Sequence, residues 1–345
     1  MRPASAAPAT LPVVRAAAAF VAAALVLATC AIPPPTPGAV ASPSGASPTV
    51  APGATSSPSP ATAGLPALVT WERRAPRSLL VAHGPGDPAT VALPESANGP
   101  PASAPDGRLA FATGGLGGGI VHVGSLANGL AALGWTRVAI PGGMIGPDEA
   151  LRWVCLGPAG RLAAQTDGGG LLVVEPDGSV RAFERHVGVP RPGGCAWLDG
   201  RHLLYAVEGR AGPALAVADV DSDVASVHER GGDAPTASAD GTRVAYVRRE
   251  GARGLVLVGG PPSGDPAAPG AMPPPDLRLS MPLGDADRPV LSPDGSLLGV
   301  LFRGEGRRPL ALAVYALANG RAEPQTWLDV TGADDAAIAW LAGVP

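Results

Sequence analysis

The sequence contains no lysine and has few aromatic and few charged residues. All 25 basic residues are arginines, and aromatic residues make up 4% and charged residues 16% of the 345 residues. The absence of lysine excludes a P-loop lysine, a Schiff-base lysine and a lysine general base. The sequence also lacks a Gly-x-Ser-x-Gly segment, which excludes the nucleophile elbow of serine hydrolases.

Patterns that would bind a metal are scarce as well. The histidines are His83, His122, His186, His202 and His228, and no two have the spacing of a zinc-binding pair. The acids from Asp219 to Asp223 alternate as in a calcium loop, but the sixth position is not glycine and the twelfth is Arg230. We therefore predict no metal site, no cofactor and no catalytic residue.

The N-terminus has the features of an export signal. Arg2 and Arg15 are basic, the first acid is Glu72, and residues 16–28 form an apolar run of 13 residues, which is short for a membrane span. The run ends in Leu27-Ala28-Thr29-Cys30, which resembles the lipobox of bacterial lipoproteins. This resemblance implies a signal peptide over residues 1–29 and a lipidated Cys30. Cleavage after Ala31 with secretion, and a retained signal anchor, are the alternatives.

A low-complexity segment follows the signal. Residues 31–64 contain 9 Pro, 10 Ser or Thr, 4 Gly and no charged residue. Such a composition cannot bury enough apolar surface to offset the entropy of ordering, so we predict that residues 30–64 are a disordered tether.

The remaining 281 residues, 65–345, form the predicted folded part. They carry 23 Arg and 29 acidic residues, a net charge of −6, which argues against a nucleic-acid partner. The whole chain has 48 Gly and 41 Pro, a density that is typical of disorder unless a repeat explains it.

A degenerate repeat does explain the glycines of residues 65–345. Its copies are anchored at Asp106-Gly107, Gly160, Asp199-Gly200, Asp240-Gly241, Asp294-Gly295 and Gly343, at spacings of 53, 40, 41, 54 and 48 residues. Each anchor is a tight turn between two apolar stretches, and a second turn follows 18 to 25 residues later. Four short strands in each unit of 40 to 50 residues predict the blade of a β-propeller.

The segment Ser292-Pro293-Asp294-Gly295 and the leucines after it resemble the WD40-like repeat of TolB-type β-propellers. The resemblance covers residues 65–345 and implies an all-β fold with no specific partner. Residues 68–71, 78–82 and 90–93 have no first strand, whereas residues 337–340 have no blade after them. We therefore predict six four-stranded blades, with the C-terminal strand completing the first blade and closing the ring.

Two further features are candidate sites. Cys155 and Cys195 lie five residues before their anchor glycines, so they predict either a disulfide between neighbouring blades or two buried thiols. Arginines cluster in the predicted connections between the second and third strands, which all lie on one face. The arginines of this predicted docking face are Arg73, Arg74, Arg248, Arg249, Arg307 and Arg308. An ordinary solvated face with salt pairs is the alternative.

These features favour a binding or scaffolding function without catalysis. We predict a monomeric, exported lipoprotein on the outer side of the cell membrane, held to it only by the lipid anchor and binding an envelope protein or an anionic polymer. A propeller enzyme of the lyase, hydrolase or sugar dehydrogenase type, and a small-ligand sensory domain that uses the channel, are the alternatives.

Overall fold

A computed structural model of the chain shows six four-stranded antiparallel sheets arranged as blades around a channel. It describes residues 67–73, 75–82, 89–104, 106–125, 134–183, 187–250, 253–262, 270–279, 285–303, 309–318, 321, 323–326 and 336–341. Cys30, the predicted signal peptide and the predicted tether lie outside these residues. Within the described ranges, no helix is long and apolar enough to cross a membrane.

The strands follow the predicted order of four to a blade. Blade 1 contains β1 (Ala67–Glu72), β2 (Ser78–Ala82) and β3 (Ala89–Ala92), and blade 2 contains β4 (Ala102–Ser103), β5 (Arg108–Thr113), β6 (Ile120–Ser125) and β7 (Gly134–Ala139). Blade 3 contains β8 (Leu151–Leu156), β9 (Leu162–Thr166), β10 (Leu171–Val174) and β11 (Val180–Ala182). Blade 4 contains β12 (Val189–Trp197), β13 (His202–Gly209), β14 (Gly212–Asp219) and β15 (Val224–Arg230). Blade 5 contains β16 (Gly232–Ala237), β17 (Val244–Glu250), β18 (Arg253–Gly259) and β19 (Leu277–Leu279). Blade 6 contains β20 (Asp285–Leu291), β21 (Leu297–Arg303), β22 (Pro309–Ala316) and β23 (Glu323–Thr326).

The last strand, β24 (Ala336–Leu341), completes blade 1. It pairs antiparallel with β1 over six residues, from Ala336 opposite Glu72 to Leu341 opposite Ala67. Trp340 also donates its indole N–H to the carbonyl oxygen of Val290 in blade 6, at 2.8 Å. The predicted all-β, six-bladed ring closed by its C-terminal strand is therefore confirmed.

We name the strands of each blade A to D from the channel outward. The A–B and C–D turns then lie on one face of the ring. The B–C turns and the D–A connections lie on the other, which we call the B–C face. The cores lie between neighbouring blades: Leu68, for example, packs with Leu301, Leu312 and Val314 of blade 6.

The Asp-Gly turns are built from local hydrogen bonds. Asp240 accepts the backbone N–H of Thr242 at 3.0 Å and the hydroxyl of Ser238 at 2.7 Å, and the same contacts recur at Asp294. The bonds from Ser238 and Thr242 hold the pKa of the Asp240 carboxyl below its usual value. Gly107, Gly241 and Gly295 have φ values of 77°, 67° and 67°, whereas Gly200 does not have a positive φ.

Three arginines just after the anchors bind the next blade around the ring, whereas Arg201 contacts Asp219 of its own blade. Each of the three donates to the carbonyl oxygen of a glycine in the neighbouring A–B turn. The bonds are Arg108 to Gly157 at 3.0 Å, Arg161 to Gly200 at 2.7 Å and Arg243 to Gly295 at 2.8 Å. These hydrogen bonds join blade 2 to 3, blade 3 to 4 and blade 5 to 6, so part of the arginine content has a structural use.

Cys155 and Cys195 form a disulfide, which was one of the two alternatives that the sequence left open. Their Cα atoms are 5.8 Å apart, within the usual range for a disulfide. The bond joins β8 to β12, the A strands of blades 3 and 4. Trp197 strengthens the same junction by donating its indole N–H to the carbonyl oxygen of Cys155 at 3.0 Å.

Replacing both bonded cysteines by alanine is expected to lower the free energy of unfolding by about 3 kcal/mol. The disulfide closes a loop with a sequence separation of 40, and opening it frees that loop in the unfolded chain. Urea denaturation of Cys155→Ala/Cys195→Ala beside the wild type measures the loss. Cys30→Ala is the matched control, because it removes the cysteine outside this loop, and it should not shift the midpoint. An unchanged midpoint in the double variant would contradict the expectation.

Candidate functional site

The A strands of all six blades line the channel. The narrow part has a volume of about 170 Å³ and is mostly apolar, with alanine, valine, leucine, proline and tryptophan side chains. Its polar lining side chains include Ser103, Thr236, Ser238 and Arg288. Among the described residues that line it, none is an aspartate, a glutamate or a histidine. The described lining therefore offers no carboxylate or imidazole for proton transfer.

The channel widens at the B–C face into an open pocket of about 700 Å³, which we call the mouth. Its lining includes Trp71, Arg73, Asn98, Arg152, Trp153, Asp167, Arg191, Glu208 and Arg288. Among the described residues of this lining, four arginines and two acids give a net charge of +2. Trp153 and Arg288 line both the mouth and the narrow channel, so a molecule in the mouth would reach the channel entrance.

Irregularities in the A strands coincide with three of the mouth arginines. The register between β8 and β9 shifts between Leu151 and Trp153, so Arg152 is the extra residue. Similar shifts occur in β12 between Pro190 and Cys195, and in β20 between Ala286 and Arg288. Bulges redirect side chains at the rims of β-structures. Three arginines of the mouth therefore lie where the pairing between the A and B strands is irregular.

Two of the mouth arginines are held by carboxylates. Arg152 contacts Asp167 at 3.1 Å and donates to the carbonyl oxygen of Asn98 at 3.3 Å. Burial raises the pKa of Asp167, but the Ala150 backbone N–H and Arg152 outweigh it, so this pKa lies below its usual value. Asp167 is therefore charged at neutral pH, and Arg152 keeps its position without a ligand.

Arg191 is held in the same way by two acids. It contacts Glu208 at 2.5 Å and Asp233 of blade 5 at 3.2 Å. Asp233 is not part of the described lining, but its negative charge further offsets that of Arg191. Arg73, in contrast, is exposed to solvent at the mouth.

Two tryptophans that line the mouth have buried indole N–H groups. The indole Nε1 atoms of Trp71 and Trp153 are buried, and neither finds a partner among the described residues. Trp71 is only 4% exposed. In contrast, Trp197 and Trp340, deep between blades, both donate to backbone carbonyls. A buried donor without an acceptor costs about 1–3 kcal/mol, so these two indole groups reduce the stability of the fold.

A close approach of the backbone also shapes the mouth. The connection between blades 1 and 2 passes the start of β8 at Gly99. A Cβ atom at Gly99 would lie 2.0 Å from the carbonyl oxygen of Arg152. The side chain of the preceding Asn98 donates to the carbonyl oxygens of Gly114 and Leu151, at 2.7 and 3.2 Å. This connection therefore fixes one wall of the mouth.

Of the three predicted docking arginines within the described ranges, one lies in the mouth. Arg73 follows β1 and lines it. Arg248 and Arg249 lie at the end of strand β17, not in a loop as we predicted, because β17 and β18 pair up to Glu250 and Arg253. Arg248 contacts Glu229 at 3.6 Å. Arg74, Arg307 and Arg308 lie outside the described residues.

The described histidines do not form a site together. His122 is buried beside Thr113, with Nε2 3.2 Å from the threonine oxygen, and burial lowers its pKa. His202 contacts Asp199 at 2.7 Å, and His228 contacts Ser226 at 2.8 Å. Within the described part of the chain, no group of three or more histidines, cysteines or acids is placed to hold a metal. His83 and His186 lie outside it.

Sequence reasoning missed Arg152, Trp153, Arg191 and Arg288, although a signal was present. These three arginines lie seven to nine residues before the anchor glycines of blades 3, 4 and 6. An arginine that recurs at one place of a degenerate repeat indicates a shared position at the start of the A strand.

Solved structures resemble the chain as a whole. A chain of the nidogen/laminin complex matches with a TM-score of 0.53 and 14% identity, over 80% of this chain and 98% of that chain. TolB from Acinetobacter baumannii matches with a TM-score of 0.51 and 20% identity, over 80% of this chain and 66% of that one. The fold is that of a TolB-like, six-bladed β-propeller. Virginiamycin B lyase from Staphylococcus aureus also resembles this TolB-like propeller, with a TM-score of 0.47, 13% identity, and coverage of 75% and 80% of the two chains.

Sequence comparisons do not assign the chain to a protein family. No protein-family model and no curated protein matches the chain. At identities of 14% and 20%, the structural matches establish the fold of the TolB-like propeller alone. Its function has to be argued from its own residues.

Proposed function

We propose that this TolB-like propeller is an exported, lipid-anchored binding module with no catalysis of its own. Cys30 would carry the lipid, residues 30–64 would act as the tether, and the B–C face would bind an acidic envelope protein or an anionic polymer. The propeller would act as a monomer on the outer side of the cell membrane. The observation that carries this proposal is the net positive mouth of the B–C face.

The charge distribution supports an acidic partner. The folded part has a net charge of −6, yet the mouth lining has a charge of +2, so positive potential is concentrated where the channel opens. Arg73 in blade 1 is exposed, and Arg248 in blade 5 is half-exposed and contacts Glu229 and Glu250. A local positive region on an acidic protein steers an acidic partner to one face and disfavours other orientations.

The channel favours binding over catalysis. The described lining contains serine and threonine hydroxyls and Arg288 among apolar side chains, and no carboxylate or imidazole. General acid–base catalysis needs a group whose pKa is near the operating pH, and arginine does not provide one. The same lining suits an apolar segment that enters the channel, with the charged mouth contacting its acidic flank.

Affinity capture from native envelope extract tests the proposal. The baits are the full chain in mild detergent and the variant Arg73→Gln/Arg248→Gln. We expect an acidic protein or polymer on the wild-type bait, and at least a five-fold lower recovery on the variant, because two charges of the docking face are lost. Recovery should also fall as the salt concentration rises.

A matched control separates this face from the total charge. Arg137→Gln/Arg321→Gln also removes two positive charges, but Arg137 lies on outer strand β7 and Arg321 lies in the turn between β22 and β23 on the opposite face. Its recovery should equal that of the wild type. Equal recovery on all three baits would contradict docking through the B–C face.

A further inference from the structure

The B–C face carries exposed apolar side chains beside its positive mouth. Among the described residues, the large apolar side chains that are exposed are Leu116, Val189 and Val224, at 67%, 46% and 39%. Leu116 lies in the B–C turn of blade 2 and Val189 lies at the start of the A strand of blade 4, so both are on the B–C face. Val189 also lines the mouth. The face therefore combines positive charge with apolar contacts.

Leu116 is the one residue with a side chain in a glycine loop. The B–C turn of blade 2 has the sequence Gly114-Gly115-Leu116-Gly117-Gly118-Gly119. Gly114 and Gly117 have φ values of 111° and 72°, which favour glycine. Because its neighbours in the turn are all glycine, none of them covers the leucine. Packing within the blade does not account for a leucine that is two-thirds exposed.

Hydrogen bonds hold this loop next to the mouth. The side-chain amide of Asn98, which lines the mouth, donates to the carbonyl oxygen of Gly114 at 2.7 Å. The backbone N–H of Gly117 donates to the carbonyl oxygen of Glu149 at 2.9 Å. The loop is thus fixed at its start and in its middle, and the Leu116 backbone needs little ordering when a partner binds.

Val189 is presented from the far side of blade 3, which lies between blades 2 and 4 in the ring. It packs on the B–C turn of blade 3, where a Cβ atom at Gly169 would lie 2.4 Å from its Cγ1 atom. Residues 168–170 of that turn are all glycine, so they add no side chain to this part of the rim. The rim over blades 2 to 4 therefore offers Leu116 and Val189 as its large exposed apolar groups among the described residues.

We propose that the rim over blades 2 to 4 is an anchor site for a protein segment, whose apolar side chains contact Leu116 and Val189 while its acidic residues face Arg73 and the mouth. The inference rests on the proposed docking function and chooses between its two partner classes. A polymer of anionic sugars or phosphates brings few apolar groups, whereas a protein segment brings both kinds of contact. A flat bilayer offers apolar contacts but does not enter the pocket that Val189 lines.

Selection of random short peptides displayed on phage against the full chain in mild detergent tests the inference. We expect the enriched peptides to combine acidic with apolar residues. Fluorescence anisotropy then measures the affinity of an enriched synthetic peptide for the wild type and for Leu116→Ser. The affinity of the variant should be roughly ten-fold lower, because a leucine side chain is no longer buried in the complex. No enrichment, enriched peptides without apolar residues, or an unchanged affinity would overturn the proposal.

Val224→Ser is the matched control. Val224 is also an exposed apolar side chain, but it starts β15 after the C–D turn of blade 4 and therefore lies on the opposite face. Its peptide affinity should equal that of the wild type. Because Leu116 and Val224 are both exposed, both variants should unfold at the wild-type temperature. A loss of affinity in Val224→Ser equal to that in Leu116→Ser would count against a site on the B–C rim.

Two further probes separate a protein partner from the other surfaces that this face could meet. Long-chain polyphosphate that binds where no peptide does would assign the face to a polymer. The variant Leu116→Trp, reconstituted in phosphatidylglycerol vesicles that contain brominated lipid, reports contact with a bilayer. Quenching of its fluorescence beyond that of the wild type would place the loop in the membrane. Either result would overturn the proposal.

The anchor site and the docking function fail separately. If Arg73→Gln/Arg248→Gln lowers the recovery of an envelope partner and Leu116→Ser leaves it unchanged, docking by charge stands and the apolar anchor is refuted. If neither variant lowers the recovery, docking through the B–C face is refuted as well.

Discussion

Deleting residues 336–345 is expected to prevent stable folding. The deletion removes β24, which pairs with β1 over six residues and contributes Ile338 and Trp340, 4% and 1% exposed, to the junction with blade 6. Loss of one buried tryptophan alone typically costs about 3–5 kcal/mol, and whole domains are stable by about 5–15 kcal/mol. The deletion also leaves β1 as an unpaired inner strand and opens the ring.

Circular dichroism and size-exclusion chromatography measure this result. The truncated chain should lose cooperative thermal unfolding or appear as aggregate. Deleting only residues 342–345 is the matched control, because β24 remains, and it should unfold like the full chain. If the chain that ends at residue 335 unfolds cooperatively at the wild-type temperature, blade 1 does not need its C-terminal strand.

Gly241→Ala is expected to lower the free energy of unfolding by roughly 3–5 kcal/mol. Gly241 has a φ of +67°, and a Cβ atom there would lie 1.8 Å from the carbonyl oxygen of Leu198 in the preceding blade. The backbone of two blades must separate to admit the methyl group. The substitution therefore combines left-handed backbone strain with a clash against main-chain atoms that cannot rotate away.

Gly178→Ala separates the two contributions. Gly178 also lies in an Asp-Gly turn with a positive φ, 85°, but a Cβ atom there meets nothing within 4 Å. It should lose only the strain, about 1–2 kcal/mol. Urea denaturation of the two variants beside the wild type gives both values. Equal losses in the two variants would mean that blades 4 and 5 are not in close contact at Gly241.

The architecture could be predicted because the turns are local. Asp240 and Asp294 accept hydrogen bonds from groups within two residues along the chain. The short sequence pattern that contains each aspartate therefore also determines the turn. The apolar stretches between turns had the length of strands, and incomplete units at the two ends indicated the shared blade. Each of these inferences needs only neighbouring residues, which is why a degenerate repeat was enough.

The mouth could not be predicted in the same way, because it depends on distant residues. Arg152 reaches it as the extra residue of a bulge, and a bulge is a property of the pairing between β8 and β9. Whether Trp71 and Trp153 find acceptors depends on what the other blades bring to the mouth. Likewise, Arg248 was predicted in a loop because the tight pairing of β17 with β18 is not visible in composition.

Blade packing and binding use the same residue types differently. Arg108, Arg161 and Arg243 donate to carbonyl oxygens between blades, whereas Arg73 lines the open mouth. Trp197 and Trp340 have acceptors and hold the ring together, whereas Trp71 and Trp153 have none among the residues that the structure describes. The total arginine content therefore says less about function than the contacts that each arginine makes.

A crystal structure of the protein soaked in sodium selenate tests the central claim most directly. We expect an anomalous selenium peak in the mouth, with a selenate oxygen about 3 Å from a guanidinium nitrogen of Arg73. A mouth without selenate, in a crystal where the ion occupies other sites, would contradict the claim that this end of the channel is the binding site.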